Sequence, residues 1–459
     1  MRCNFRIIIT VLILLLYAAV SAKADEVDSY VETQMRNFHI PGISLAVVRN
    51  GQIVKAQGYG LAHVELNVPL TKDTVMEIGS MTKQFTATAV MMLVEEGKLS
   101  LDDKLSKYIT DVPPAWSGVT IRHLLTHTSG INSQDINASR LGIREEQDIL
   151  NAFYKQPVEF QPGESWVYCN KGFNLLGMVI ERASGKSYGD FLAERILTPL
   201  EMKATSVSEP RLIIAKRADG YGWTNGELEN RPSVPRGAFA GGGIVSTVGD
   251  VAKWDAALYT DKLLKRATME QMWVPVKLPG GATTAFNYGF GWFTDTYHGH
   301  RVVHHIGVSP GFSSTIVRFV DDKLTVILMA NCSGQIVDQF AGDIAAVYIP
   351  ALAMPPARAS DPDPKTSQML KEALTGMIAD KPNPSLFTPA MQLFMNTASG
   401  KEFGQWIASF GPLKSFAFAE QEEMGRERTL RYRIILGDNA FTFSFRIAED
   451  GKIAHAFFW

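Results

Sequence analysis

Ser80-Met81-Thr82-Lys83-Gln84-Phe85 opens a segment whose apolar residues, Phe85, Val90 and Leu93 among them, keep helical spacing until Gly97 stops it. The spacing predicts a helix over 80–96 with Ser80 at its N-terminal end. Residues three apart share a helix face, so the Lys83 amine is set beside the Ser80 hydroxyl. A serine hydroxyl is a poor nucleophile until a base takes its proton. A lysine is that base only where burial or a neighbouring charge lowers its pKa from about 10.4. The helix start also directs backbone N–H groups toward an oxyanion formed there. A lone Ser-x-x-Lys is expected about once by composition in a chain this long, and on this evidence alone a capping serine beside a solvated lysine is the better explanation.

Outward from this helix the chain reads as α+β. Asp25 to Phe38 has helical spacing, and Ile43 to Val48 and Ile53 to Tyr59 read as strands around the hairpin signal Asn50-Gly51. Thr120 is placed to cap Ile121 to Thr126, with Gly130 ending that piece, and Thr247-Val248-Gly249-Asp250 opens a helix through Tyr259. From Arg301 the texture becomes β-branched, with strands at Val302–Ile306, Ser314–Val320 and Leu324–Ala330. Strands first and last with helices between imply an antiparallel sheet whose N- and C-terminal strands meet, beside a helical lobe. The proline-rich stretch 350–366, with Pro350, Pro355, Pro356, Pro362 and Pro364, marks the end of a domain spanning 25–349. Residues 367–459 form a small α+β accessory domain. Two or three helices over Ser367–Phe410 precede strands broken at Gly437-Asp438-Asn439 and Glu449-Asp450-Gly451, with no evident set of reactive groups.

Residues 1–24 read as a secretory signal, with Arg2 and Arg6 before an apolar run from Ile7 to Val20 and small residues at Ala22-Lys23-Ala24. That run is too short to span a bilayer comfortably, so the mature chain is expected to be exported, periplasmic or secreted, with no stable membrane span. Its loss removes three positive charges and takes the formal net charge from −2 to −5. Such a balance offers no polycation for nucleic acid and no basic stripe for a membrane surface. Of three cysteines, Cys169 and Cys332 survive cleavage, which is no disulfide framework; buried thiols are expected. Asn137-Ala138-Ser139 and Asn331-Cys332-Ser333 fit the glycosylation sequon, which matters only in a eukaryotic host.

Two further triplets change the weight of the first. Tyr168-Cys169-Asn170 follows the turn Gln161-Pro162-Gly163-Glu164, and a phenol beside cations can relay a proton. The Asn170 amide can bond both a lysine and a substrate amide. His305-Ile306-Gly307 falls on a strand where the glycine lets substrate lie close to the backbone. Taken singly, Tyr168 reads as a half-buried aromatic and His305 as a core histidine. In this order, however, the three boxes resemble those of the penicillin-recognising serine enzymes, in the branch of class C β-lactamases, D-alanyl-D-alanine carboxypeptidases and esterases. Flanking text is similar as well: Ile121 to Gly130, Pro162 to Tyr168, Gly241 to Thr247 and Pro310 to Ser313.

The resemblance covers roughly residues 25–345 and implies a β-lactamase/transpeptidase-like fold that needs no cofactor and no metal. It implies Ser80 as nucleophile, Lys83 as its base partner and Tyr168 as general acid/base. Asn170, His305 and Gly307 would meet substrate, and the backbone N–H groups of Ser80 and Val308 would form the oxyanion hole. Deacylation would fall to Tyr168 and Lys83. Cys169 stands where serine is commoner. His305 replaces the lysine of the β-lactamases, and a histidine with a pKa near 6.5 is mostly neutral at pH 7. That favours esters, amides or D-amino-acid peptides, as small-molecule or peptide substrates, over efficient β-lactam turnover. The rival from another class is a silent penicillin-binding-like sensor or scaffold. Oligomeric state is not legible.

Two decoys stand nearby. Gly307-Val308-Ser309-Pro310-Gly311 matches the nucleophile elbow of α/β-hydrolases, but its continuation is β-branched where a helix is required. His298, His300, His304 and His305 crowd eight residues, yet 298, 300 and 304 face one way along a strand and 305 the other. A hairpin with exposed histidines is expected there.

Overall fold

The computed structural model describes residues 25–134, 146–209, 212–231, 239–279, 284, 286–424 and 426–458. The leader read at 1–24 and the Asn137 sequon lie outside the described residues. A helix over 25–37 (α1) leads into β1 (Gly42–Arg49) and β2 (Gln52–His63). Asn50 and Gly51 join these strands with φ of +52° and +73°, the backbone of a type I′ hairpin. After β3 (Val68–Pro69) and β4 (Met76–Glu77) come α2 (Thr82–Glu95), α3 (Ile121–Leu125), α4 (Glu146–Tyr154), α5 (Asn170–Ser184) and α6 (Tyr188–Leu192). β5 (Ser206–Val207) and the β6–β7 hairpin (Tyr221–Thr224, Glu227–Asn230) lead to α7 (Phe239–Gly242), β8 (Ile244–Ser246), α8 (Val248–Ala257) and α9 (Arg266–Met272). β9 (Phe293–Tyr297), β10 (His300–Ser309), β11 (Phe312–Phe319) and β12 (Leu324–Ala330) follow, then α10 (Val337–Tyr348).

The main sheet has the antiparallel order β3-β2-β1-β12-β11-β10-β9, so the first and last strands of the domain do meet, Ile43 opposite Ala330. Successive side chains on a strand face opposite ways, and this sheet buries both faces. Ala46 and Val48 of β1 and Ile327 and Met329 of β12 join the core under the helical lobe. Ile43, Leu45 and Val47, with Leu324, Val326 and Leu328, join a core against α1 and α10. The caps read from sequence hold: Thr120 Oγ1 accepts from the His123 N–H and Thr247 Oγ1 from the Asp250 N–H. Among the described residues, no helix is long and apolar enough to cross a membrane.

Beyond a short turn at Pro350–Leu352 stand α11 (Pro364–Ile378), α12 (Pro389–Asn396) and α13 (Ala398–Ser409). An antiparallel sheet of β13 (Leu413–Met424), β14 (Glu427–Leu436), β15 (Asn439–Ile447) and β16 (Ile453–Phe458) completes this C-terminal domain. Its apolar residues, Leu370, Phe443 and Phe458 among them, belong to the same buried core as Phe340 and Ile344 of α10.

That docking overturns the exposed-histidine expectation. β9 is an edge strand of the main sheet, and a bare edge invites pairing with other chains. Here the C-terminal domain reaches it. His298 bonds the Ala351 carbonyl and the Glu420 carboxylate of β13, each at 2.7 Å, and Arg446 of β15 pairs with Asp295 at 2.6 Å. His300 meets Asp322, His304 lies 3.8 Å from Asp295, and His305 is wholly buried. The four rings are covered and do not converge.

Candidate active site

The α-helix begins two residues later than helical spacing suggested: Ser80 belongs to a 3-10 turn, Gly79–Met81, and the α-helix proper begins at Thr82. Three contacts fix this turn. The Ile78 N–H donates to the Ile244 carbonyl at 3.0 Å, Glu77 pairs with Val245 of β8, and Ser314 Oγ donates to the Ile78 carbonyl at 2.9 Å. β10 presses on the turn from the other side. A Cβ on Gly307 would stand 2.0 Å from the Ile78 carbonyl oxygen, and one on Gly79 2.7 Å from the Val308 nitrogen. Gly79 also has φ +46°, a region that favours glycine. Two glycines, one on each element, therefore let the Val308 backbone close on the Ser80 turn.

Lys83 is fully buried, and its Nζ lies 3.0 Å from Ser80 Oγ, 2.8 Å from Asn170 Oδ1 and 2.6 Å from the Gly241 carbonyl. Asn170 is the first residue of α5, and Gly241 sits in α7, whose backbone is held by Asn174 Oδ1 at 3.0 Å. The Tyr168 ring lies under the same amine, 4.7 Å from Nζ to the ring centre. Ser80, Lys83, Tyr168 and Asn170, distant in sequence, are thus gathered at one place.

His305 is gathered too, but as part of the floor. Its ring borders the cleft yet is fully covered. Nδ1 donates to the Ile306 carbonyl at 2.6 Å, so Nε2 is the acceptor for the Tyr288 hydroxyl at 3.0 Å. Burial, helped by Lys83, holds this imidazole well below its usual pKa, so it is neutral. Val308, by contrast, is 53% exposed at the rim.

Several participants escaped the sequence reading. His127 is buried 4.3 Å from the Tyr168 ring, with Nδ1 accepting from the Cys169 N–H at 3.1 Å; burial and Lys83 lower its pKa well below normal. Its stretch was noted for resemblance, but nothing in the spacing singled out this ring. Tyr288 carried no signal, and Gly241 was noted only within a stretch of flanking resemblance. The cleft, about 380 Å³, is also lined by Phe394, Glu402, Phe403 and Trp406 of the C-terminal domain, where no reactive set was expected. Cys169 and Cys332 are buried thiols not joined in a disulfide, as expected. Burial pushes Cys332 up to about 11. The Ser309 elbow decoy is followed by β11, not a helix. Among the described residues, no cluster of His, Cys, Asp and Glu suits a metal ion.

Comparison with known proteins agrees with this geometry. A family model described as Beta-lactamase matches residues 27–349, more than half of the chain. Penicillin-binding protein 4* of Bacillus subtilis is 32% identical over 330 residues, 67% of this chain and 72% of that protein. Protein flp of Staphylococcus aureus (strain MW2) is 28% identical over 325 residues, and the chain spans 64% of its length. Among solved structures, a penicillin binding protein from Bacillus halodurans aligns with a TM-score of 0.60 at 28% identity, over 70% of this chain and 98% of that one. An octameric penicillin-binding protein homologue from Pyrococcus abyssi aligns over 92% of this chain and 96% of that one, with a TM-score of 0.64 and 24% identity. That alignment extends into the C-terminal domain, as a likeness of fold. The chain belongs to the beta-lactamase family of penicillin-recognising serine hydrolases.

Proposed function

We propose that the chain hydrolyses neutral esters or amides through an acyl-enzyme on Ser80, outside the cytoplasm if the leader read at 1–24 directs export. The observation that carries this is the coordination of Lys83 Nζ. The Gly241 carbonyl and Asn170 Oδ1 can only accept, so they take two N–H groups of the amine. The third position faces Ser80 Oγ at 3.0 Å and is either a lone pair or a third N–H. A neutral Lys83 would receive the Ser80 proton there as the oxygen attacks the carbonyl carbon, and the ammonium so formed already has three acceptors. The Ser80 and Val308 N–H groups would hold the oxyanion. Tyr168, against the amine, would pass the proton to the leaving group, giving acyl-Ser80. Water would then attack the ester, losing its proton to the same pair and restoring the hydroxyl.

The floor of the cleft argues for substrate class. His305 is neutral, and among the described residues lining the cleft the one charged side chain is Glu402. Among the described residues, a carboxylate-bearing β-lactam or peptide C-terminus finds no cation there beyond the buried Lys83. Fluorophosphonate labelling tests the chemistry. One covalent adduct on Ser80, lost in Ser80→Ala together with hydrolysis of p-nitrophenyl acetate, is the expected result. An unlabelled, inactive but folded native protein would leave a sensor or scaffold instead.

A further inference from the structure

A second space, about 390 Å³, lies between the main sheet and the C-terminal domain, walled by β9 and β10, by α10, and by α13 and β16. Phe286, Phe293, Ile306, Val308, Phe403 and Trp406 line both this space and the Ser80 cleft, so the two adjoin. Its size falls in the range of small-molecule sites, roughly 300–1,000 Å³. Deeper in, Val337, Phe457 and Phe458 supply apolar wall.

Three of the ionisable groups that reach this space, His455, Asp295 and Asp338, carry little free charge into it. Burial pushes His455 down to about 3, leaving an uncharged ring packed edge-on to Phe286 at 4.1 Å. Asp295 is ionised but paired with Arg446 at 2.6 Å, and burial raises Asp338 toward its neutral form. A cavity walled mainly by apolar side chains takes apolar ligands.

We infer that the C-terminal domain completes a subsite for an apolar group of the substrate, an alkyl chain or an aromatic ring, which runs from Ser80 into the space beneath α13 and β16. The inference rests on the acyl-enzyme reading above and adds to it the part of the substrate that sets preference. The family match ends at residue 349, so the wall formed by Phe403, Trp406, Phe457 and Phe458 comes from outside it. Each methylene buried in such a site is worth about a fourfold gain, and a chain of several is a strong discriminator.

The test is kcat/KM on the full-length protein with two pairs of esters: p-nitrophenyl octanoate against acetate, and octyl acetate against ethyl acetate. The long member should be favoured at least tenfold in one pair, which also tells whether the acyl or the alcohol side enters. Val337→Phe, which fills the space, and Phe403→Ala, which removes a shared wall, should each cut that ratio tenfold. Thermal melts identify which variants are folded, and either one suffices. No preference in the native protein in either pair, or an unchanged ratio in a folded variant, overturns the subsite while acetate turnover by Ser80 leaves the acyl-enzyme reading standing. If no ester is cleaved and Ser80 takes no label, that reading falls and the subsite with it.

Discussion

On one side of the cleft, Lys83, Asn170 and Gly241 form a buried polar cluster closed by hydrogen bonds of 2.6 to 3.0 Å. On the other, Phe394, Phe403 and Trp406 offer ring surface, with a polar tether from Trp406 Nε1 to the Gly334 carbonyl at 2.9 Å. A buried polar cluster works only if every donor and acceptor is met, so few residue types serve at each position. An aromatic wall asks mainly for volume and shape, which many combinations supply. Chemistry therefore constrains the first wall, and preference is left to the second.

The sharpest break of that contrast is Lys83→Ala. It removes the proton acceptor proposed above and leaves the Gly241 carbonyl and Asn170 Oδ1 facing an empty, buried site. We expect kcat on p-nitrophenyl acetate to fall on the order of 10³-fold, with a stability loss of about 1–3 kcal/mol from the unmet acceptors. Burst kinetics and urea unfolding check the two. A kcat within tenfold of native would show that Ser80 has another base.

Trp406→Leu makes the matching cut in the other wall. The indole is half-buried, bonds Gly334 and packs 5.1 Å from Phe458 and 5.5 Å from Phe410. Losing one hydrogen bond and three aromatic contacts, the third with Phe403 at 6.0 Å, should destabilise by about 2 kcal/mol. Acetate turnover should drop far less than in Lys83→Ala. Equal losses in the two variants would mean that the walls are one mechanical unit and that the contrast is false.

The same contrast explains what could be read before any coordinates. Ser80, Lys83, Tyr168 and Asn170 were legible because reactive residue types at fixed spacing are rare together, and the Asn50-Gly51 turn because its backbone selects its residues. The exact start of α2 was not legible: Gly79 at positive φ and the clamp of β10 on Ile78 convert the first turn to 3-10, and both are long-range effects. His127 and Tyr288 support the site by packing, for which no spacing rule exists. The histidines of the β9–β10 hairpin, His298 in its turn and the others on β10, were misread as exposed because nothing local shows that a domain beginning sixty residues later covers that edge. For the same reason Phe403 and Trp406 looked like ordinary helix residues.

Acid should separate the two walls by a smaller margin. His127 and His305 stand in the first wall and His455 at the second, and burial lowers all three below the unfolded value near 6.5. Below that pH the unfolded chain binds protons that the folded chain refuses, so stability falls as pH drops from 6.5. For His455, held down at about 3, that costs about 2 kcal/mol by pH 5. His298 works the other way, since Glu420 raises its pKa. Its stabilising contribution is full below 6.5 and is lost as pH rises through the raised value. Comparing native protein with His455→Phe cancels His298 and the other common groups. Phenylalanine beside Phe286 and Phe457 keeps the ring contact, so urea unfolding should give similar stability at pH 7.5 and an advantage of about 2 kcal/mol to the variant at pH 5. A pH-independent difference would mean that His455 takes its proton in the folded state. The space beneath β16 would then be wet, and the second wall would be a polar surface, contrary to the apolar lining on which its role depends.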